Sequence, residues 1–342
     1  MSAIVITGLG AVSPAGWGVA SMQAALARGE PLPATPLARP GWTTPLAVRR
    51  VPAPQPRPWF FAHSRLRRTS PISQFAVGAA CEALGLTAAP AGPLTSLGVV
   101  CCVMSGCVNY SRRFYDEALR DPVTASPLVF PETVFNAPSS HLASLLGATS
   151  LNYTLIGDPG VFLQGLALAA HWLTAGDVDS CLVVGAEEAD WLTADALHLF
   201  ARDARPAEGA GAVLLTRQPT LTLVPNALRL AAITDTHGFQ TNAGRVVAAR
   251  AMRQQLPPPT ATSLLCDGLQ GSPKLDHAEA SALRDWPGPR LSPKQILGEG
   301  FAAASAWQCV AALDLLAHAP HDSATVTVVG LNQQALAARF ER

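Results

Sequence analysis

The sequence predicts an α/β protein whose sheets are buried between layers of helices. Two features indicate this class: strand-like runs rich in Val, Ile, Leu and Cys that do not alternate with polar residues, and helical patterns between them. Apolar runs without alternation are typical of strands covered on both faces. The predicted strands span residues 3–10, 96–106, 151–157, 180–188, 209–217, 228–236, 263–268 and 325–331.

Helical periodicity is present in four segments that separate these runs. They span residues 70–86, 161–176, 246–256 and 301–317. Strands that alternate with helices predict parallel sheets with helical layers packed against them. The Pro- and Arg-rich segment 31–58 cannot form a regular helix or a central strand, so we expect it to be an excursion on the surface.

The composition excludes some classes of function. The chain of 342 residues can bury a large core, as two domains or as one large duplicated domain. Lys+Arg and Asp+Glu number 24 each, and this zero net charge argues against nucleic acid as a partner. Because only 14% of residues are charged and 49% are hydrophobic, we expect another subunit to cover part of the surface.

Cysteine usage and hydropathy indicate a reducing, aqueous environment. The seven cysteines include no C-x-x-C pair, so we predict buried thiols rather than a disulfide or zinc framework. No apolar run reaches membrane-spanning length without a charge, Gly or Pro, and the amino terminus has no charged leader region. We expect a cytoplasmic protein with no membrane span, no metal and no cofactor.

The eight histidines provide no recognisable catalytic candidate. His141 and His171 lie in helical patterns, and we predict that they are core or interface residues.

Segments along nearly the whole chain resemble the β-ketoacyl synthases, the condensing enzymes of fatty-acid and polyketide assembly, and follow that family's order. They are IVITGLGAVSPAGWG (4–18), RRTSPISQFAVGAACEAL (67–84), HLASLLGATSLNY (141–153), DVDSCLVVGAEEA (177–189), AEGAGAVLLTR (207–217), CDGLQGSPKLDHAEASAL (266–283) and KQILGEGFAAASAW (294–307). The resemblance implies a thiolase fold, an α/β/α/β/α five-layer sandwich of two similar halves, each with a five-stranded mixed sheet. We expect the first half to span residues 1–217, including the excursion 31–58, and the second to span 218–342.

The run NYTLIGDPGVFLQG (152–165) has the pattern of a strand, a tight turn and a helix. Condensing enzymes place a cysteine at this turn, where the helix dipole favours its thiolate. When the family motif is aligned on Asn152 and Tyr153, the cysteine position is Pro159. Proline has no nucleophile but is favoured as the first residue of a helix, and Asp158 is the predicted N-cap.

The two family histidines, which hold the developing enolate oxygen, are also replaced. Their aligned positions are Asp267, before Gly268, and Glu299, within GEGFAAA (298–304). The glycine-rich terminal motif is reduced to VVGLNQQALA (328–337). Because a carboxylate repels an enolate oxygen, we predict that this chain does not condense acyl groups by itself.

Two other hypotheses remain open. Asp267 and Glu299 can be regarded as a new pair of carboxylates for acid–base chemistry, in an acyl-transferring or hydrolysing enzyme. Cys266 is a possible displaced nucleophile, although its position at the end of an apolar strand favours a buried structural thiol. The second hypothesis is a self-associated protein that binds an acyl chain.

The resemblance implies a role without catalysis. Condensing enzymes of this fold are dimers in which loops of one subunit line the acyl tunnel of the other. This chain resembles the chain-length factors of type II polyketide systems and similar subunits of aryl-polyene pathways, although such factors carry Gln at the cysteine position. We therefore predict a heterodimer with an active β-ketoacyl synthase and transient contact with an acyl carrier protein.

Three groups of residues follow from this resemblance. The candidates for shaping the tunnel are Tyr110, Phe114, Tyr115, Phe130, Val134 and Phe135. The strand expected to pair across the dimer axis consists of Leu151, Asn152, Tyr153, Thr154, Leu155 and Ile156. The candidates for binding an acidic carrier protein are Arg65, Arg67, Arg68, Arg112 and Arg113.

Overall fold

The strands form two sets of five with the same connectivity, in a computed structural model that describes residues 2–219, 226–331 and 333–342. The strands are β1 (Ser2–Ser13), β2 (Gly16–Trp17), β3 (Thr35–Leu37), β4 (Leu46–Val48), β5 (Leu97–Val103), β6 (Asn152–Ile156), β7 (Ser180–Glu187), β8 (Gly209–Pro219), β9 (Arg229–Ile233), β10 (His237–Gly238), β11 (Ser263–Cys266), β12 (Arg290–Leu291), β13 (Ser323–Val329) and β14 (Gln334–Glu341). The helices are α1 (Val19–Arg28), α2 (Pro71–Ala83), α3 (Val108–Arg120), α4 (Ala137–Leu146), α5 (Val161–Ala175), α6 (Trp191–Phe200), α7 (Asn242–Gln255), α8 (Pro273–Ala282), α9 (Pro293–Leu297) and α10 (Ala302–His318).

The first set has the order β6-β5-β7-β8-β1 and the second has the order β12-β11-β13-β14-β9. In both sets the strand next to the edge is parallel to its two neighbours, and the last two pairings are antiparallel. The sets meet where Val5 of β1 lies opposite Arg229 of β9. This repeat confirms the prediction of two similar halves with mixed five-stranded sheets. The predicted division after residue 217 falls within β8 and stays a prediction.

Five layers result from the way the helices pack. Helices α5 and α10 lie between the two sheets, and α10 contacts β7 and β8 of one sheet and β11 and β13 of the other. Its Trp307 is fully buried. Helices α2 and α4 cover the outer face of the first sheet, and α7 and α8 lie on the side of the second. The predicted α/β/α/β/α sandwich is confirmed.

Two sequence predictions need correction. Residues 151–157 were predicted as a strand buried on both faces, yet the side chains of β6 are half-buried or exposed because β6 is the edge of its sheet. The second is an omission: β14 lies in the middle of the second sheet, but its run QALAARFE is rich in alanine and lacks the β-branched residues that mark a strand.

The Pro-rich segment 31–58 contributes the small hairpin β3–β4 outside the main sheets and a parallel bridge from Arg49 to Ala207, and the prediction of a surface excursion stays a prediction. Arg49 fixes its base: the buried guanidinium donates to the carbonyl oxygens of Leu32 (2.8 Å) and Gln295 (3.2 Å). The seven cysteines are free and buried, in agreement with the prediction. No described helix is long and apolar enough to cross a membrane.

Candidate functional site

The turn between β6 and α5 is built as the sequence predicts, but the helix begins later. Asp158, Pro159 and Gly160 form the turn, and α5 begins at Val161, whose N–H donates to the Asp158 carbonyl (2.8 Å). The prediction that Pro159 is the first helical residue is therefore wrong by two positions. Pro159 is buried, and its carbonyl oxygen accepts a hydrogen bond from Ser305 Oγ on the central helix α10 (2.7 Å).

Asp158 does not serve as the N-cap of α5, as was predicted; that position is Gly160. The buried Asp158 carboxylate instead accepts backbone N–H groups from the turn before β14: Leu331 at 2.9 Å and Gln333 and Gln334 at 3.3 Å each. A Cβ on Gly330 would lie 1.7 Å from Asp158 Oδ2, so only glycine fits there. Asp158 thus joins the former nucleophile turn to the reduced terminal motif.

Asp267, which the sequence predicts to stand at the first histidine position, is 1% exposed. Its Oδ1 accepts hydrogen bonds from Ser292 Oγ (2.6 Å) and the Leu269 N–H (3.3 Å), while Oδ2 has no hydrogen-bond partner among the described residues. Burial raises the pKa of Asp267, and the Ser292 hydrogen bond opposes that shift only in part. Asp267 therefore favours its neutral form more than a solvated aspartate does.

Glu279 of α8, which the sequence analysis did not single out, lies beside Asp267. Its Oε1 accepts hydrogen bonds from the Gly268 N–H (2.9 Å) and Thr327 Oγ1 (2.5 Å). Burial, reinforced by the neighbouring Asp267 carboxylate, raises the pKa of Glu279 to about 7. Glu279 is thus a second buried acid next to Asp267.

Glu299, which the sequence predicts to stand at the second histidine position, is completely buried in an ion pair. Its Oε2 lies 2.9 Å from Lys294 Nζ, and its Oε1 accepts the Phe301 N–H at 2.7 Å. Lys294 is itself only 3% exposed on its side chain. Both carboxylate oxygens are engaged, so Glu299 is not placed to exchange a proton with a bound substrate.

A second buried cation, Arg245 of α7, completes this group of charges. Its guanidinium donates to the carbonyl oxygens of Val329 (3.2 Å) and Leu331 (3.4 Å) and lies near Glu279 and Asp158. Desolvation lowers the pKa of Arg245. The sequence analysis did not identify Lys294, Arg245 or Glu279 as parts of this group. The one sequence signal for any of them was the position of Lys294, five residues before Glu299.

The site offers little for nucleophilic chemistry. Cys266 is fully buried, its Sγ donates to the Gln308 carbonyl oxygen (3.3 Å), and desolvation raises the pKa of its thiol well above the ordinary value. A buried thiol of this kind is inert. Among the described residues, no group of three or more His, Cys, Asp or Glu side chains is arranged to hold a metal ion.

A cavity of about 270 Å³ opens beside the buried charged residues described above. It is mainly apolar and is lined by Met104, Ser105, Thr193, Ala196, Leu197, Phe200, Phe301 and Leu331. None of the six predicted tunnel residues lies in its wall.

The predicted tunnel residues instead share an outer surface. No residue of α3 is buried: Tyr110 and Phe114 are half-buried, and Tyr115 is exposed. Phe114 contacts Phe130 of the following loop, with 5.3 Å between ring centroids. We call the surface formed by α3, the loop 121–136 and β6 the α3–β6 face.

The predicted pairing strand lies on the α3–β6 face as a free sheet edge. The Val99 N–H donates to the Leu151 carbonyl oxygen (2.9 Å), and the Gly157 N–H donates to the Val103 carbonyl oxygen (3.1 Å). Because the hydrogen bonds of a parallel pair involve alternate residues, the backbone groups of residues 152, 154 and 156 point away from β5. Leu151 itself precedes β6.

The predicted arginine cluster divides into two groups. Arg112 is paired with Asp190 (2.8 Å) and Asp116 (3.3 Å), and Arg113 is paired with Glu117 (2.9 Å). Their charges are therefore already balanced. The side chains of Arg65, Arg67 and Arg68 are exposed and form no ion pair within the described ranges.

The fold defines a thiolase-fold protein, in which Pro159 lies in the turn before α5 where the sequence predicts the nucleophile position. Residues 1–220 match the family model described as the N-terminal domain of β-ketoacyl synthases. Because this match covers more than half of the chain, the protein belongs to the β-ketoacyl synthase family. No curated protein sequence matches the chain.

Several solved structures share this fold at low sequence identity. The ishigamide ketosynthase/chain length factor is 21% identical with a TM-score of 0.77, over 99% of both chains. A β-ketoacyl synthase from Burkholderia phymatum is 18% identical with a TM-score of 0.77, over 100% of both chains. The ketosynthase ApeO in complex with its chain length factor ApeC, from Xenorhabdus doucetiae, gives 15% identity and a TM-score of 0.78, over 99% of this chain and 98% of that one. These likenesses show the fold.

The Lys294–Glu299 pair generates a stability prediction. Lys294→Met leaves Glu299 buried without its cation, and we expect it to lower the free energy of unfolding by about 3–5 kcal/mol. The double variant Lys294→Met/Glu299→Met removes both charges, and most of the loss should be recovered. Urea unfolding followed by circular dichroism measures both effects. A single variant as stable as the wild type would show that the pair is not a structural requirement.

Glu279 generates a pH prediction. Its pKa is about 7 in the folded chain, against an ordinary value of 4.5. The folded state therefore holds this proton more tightly, and the free energy of unfolding should fall as the pH rises from 4.5 to 7, by as much as roughly 3 kcal/mol. Glu279→Gln should flatten the slope in that range, whereas the exposed control Glu30→Gln should not. Equal slopes in all three proteins would contradict the prediction.

Proposed function

We propose that this chain is a non-catalytic, chain-length-factor-type subunit that forms a heterodimer with an active β-ketoacyl synthase and shapes its acyl tunnel. The pathway class is type II polyketide, aryl-polyene or fatty-acid-like biosynthesis. Two observations support this proposal: the composition of the former catalytic site and the exposure of the α3–β6 face.

The former site argues against turnover by this chain. A condensing enzyme needs a thiolate and two donors for the enolate oxygen. The corresponding positions here hold a proline ring, a buried acid with a raised pKa and a carboxylate saturated by Lys294 and Phe301. The same burial disfavours acyl transfer or hydrolysis by Asp267 and Glu299, because neither carboxylate lies in the wall of the 270 Å³ cavity.

The α3–β6 face is the observation that carries the proposal of a partner. In the described part of the chain, nine of the fourteen exposed large hydrophobic residues lie between residues 115 and 156. They are Tyr115, Leu119, Val123, Leu128, Phe130, Val134, Phe135, Tyr153 and Ile156. A concentration of exposed apolar residues in one region is typical of protein interfaces, and the outward backbone groups of the edge strand β6 are available for strand pairing.

The structural neighbours add limited support. One neighbour is described as a ketosynthase in complex with its chain length factor, and another as a complex of a type II polyketide acyl carrier protein with its ketosynthase. The exposed Arg65, Arg67 and Arg68 offer a positive surface for transient contact with an acidic carrier protein. Arg112 and Arg113 are poorer candidates because of their internal ion pairs.

Co-expression tests the heterodimer. We expect the chain to co-purify in a 1:1 complex with a β-ketoacyl synthase from the same organism that has an intact cysteine and both histidines. Thr154→Pro removes an outward-pointing N–H from β6 while leaving the bonds to β5, and proline is tolerated on edge strands. This variant should fold but lose the complex, whereas Thr154→Val, which keeps the N–H, should retain it.

Acyl-thioester labelling distinguishes the alternatives. The purified chain should take up no acyl group, as measured by intact-protein mass spectrometry. Stoichiometric labelling would favour an acyl-transferring enzyme. A stable homodimer that binds fatty acid and ignores the synthase would favour the self-associated acyl-binding protein.

Phe114 tests the tunnel role. We expect Phe114→Ala to lengthen the products of the complex without abolishing condensation, because the half-buried ring packs against Phe130 on the proposed partner side. Product masses measure the change. Val247→Ala, an exposed apolar residue of α7, is the matched control and should leave product length unchanged. Identical products from all three complexes would count against the role.

A further inference from the structure

The loop 121–136 exposes large apolar side chains without a hydrophobic core of its own. Val123, Leu128, Phe130, Val134 and Phe135 are all exposed, and the only helical part is the single turn Phe130–Glu132. Val129 is the one large apolar residue of the loop that is buried, so polar contacts supply much of what holds the loop in one conformation.

The strongest of these contacts joins the loop to α4. His141 Nε2 lies 2.9 Å from each carboxylate oxygen of Glu132, and the two side chains are only 11% and 15% exposed. Because a carboxylate only accepts, Nε2 carries the proton in this contact. The other ring nitrogen, Nδ1, is buried and has no partner among the described residues. Glu132 thus supplies every hydrogen bond that orients the ring.

Four further contacts hold the loop on α3 and on Gly106 just before it, and one of them runs from the Ser126 N–H to Glu117 Oε2 (3.0 Å). Ser111 Oγ donates to the Thr133 carbonyl oxygen at 3.0 Å, and the Phe130 ring packs against Phe114. The Phe135 ring covers Gly106, where an added Cβ would lie 2.6 Å from the ring. The carboxylate of Glu132 is near enough to Tyr110 to help raise its pKa, although burial is the larger cause. Glu132 therefore lies between α3 and α4.

Helix α4 also supports the edge strand β6. Ser139, two residues before His141 on α4, hydrogen-bonds to Asn152 of β6, and Asn152 Nδ2 donates to the Ser139 carbonyl oxygen. The aromatic loop and the edge strand are consequently fixed to one helix, and the Glu132–His141 pair sets the position of the loop relative to that strand.

We infer that Glu132 and His141 are positioning residues for partner binding: the hydrogen bond from His141 Nε2 to the Glu132 carboxylate holds the aromatic loop in its docking conformation before the partner arrives. This inference rests on the proposed function. A loop ordered in advance loses less conformational entropy on association. The partner that fits is a protein with a sheet edge for β6 and an apolar groove beside it for the rings of Phe130 and Phe135.

The first test needs no partner. Hydrogen exchange of the amides of residues 128–135 is compared in the wild-type chain and in His141→Ala. We expect exchange to be faster by about tenfold in the variant. His318→Ala is the matched control. His318, like His141, contacts an acidic side chain, here that of Asp314, but it lies exposed on α10, away from the loop. His141→Gln restores an N–H donor and should recover part of the protection. Unchanged exchange in His141→Ala would overturn the inference.

The second test measures affinity for the co-expressed synthase. His141→Ala and Glu132→Ala should each weaken the complex by about tenfold with little change in melting temperature, and the double variant should be no weaker than either single one. Faster exchange with unchanged affinity would overturn the positioning role and leave the proposed function intact. A wild-type chain that binds no synthase would overturn both the positioning role and the proposed function. The wild-type affinity is measured first, so this result is distinguished from an effect of the variants.

Discussion

The buried ion pair between Lys294 and Glu299 is the interaction on which the rest of the structure depends. Glu299 receives the Lys294 ammonium through one oxygen and the Phe301 N–H through the other, so it fixes the residue before the central helix α10. Phe301 has φ of 48°, a positive value that non-glycine residues rarely adopt and that costs of order 1–3 kcal/mol. The carboxylate offsets that cost by holding the Phe301 N–H. Since α10 separates and contacts both sheets, the two halves are joined at this point.

Other buried charges near Pro159 also hold neighbouring turns in place. Asp158 ties the turn before α5 to the turn before β14, and Arg245 holds two carbonyl oxygens of that second turn. Buried charges of both signs stabilise one another only while each is paired or hydrogen-bonded. The Lys294 ammonium is already paired with Glu299, and the Arg245 guanidinium already holds two carbonyl oxygens, so this arrangement stabilises the fold and leaves little positive charge for a developing oxyanion.

Much of the fold follows from the sequence, and the exceptions have physical causes. Strands β5, β7, β11 and β13 are buried on all sides, so their apolar runs identify them. Strand β14 has small residues because helices and neighbouring strands crowd it, and propensity alone did not reveal it. Aligned motifs predict that residues 159, 267 and 299 stand at the three catalytic positions. The sequence did not predict the residues around them, because Lys294, Arg245 and Glu279 reach the site through tertiary packing rather than through a spacing pattern.

The buried polar groups near Pro159 and the exposed apolar side chains of the α3–β6 face both support the proposal of a subunit that pairs with another chain. The face combines the paired charges of α3 with nine exposed large hydrophobic side chains, and β6 leaves alternate backbone groups unpaired by β5. Such an edge invites pairing with another chain. The loop beside it is ordered by contacts to α3 and α4 rather than by burial of its own rings. An apolar surface on the proposed partner would cover the exposed rings of Phe130 and Phe135 and so offset the cost of keeping them in water.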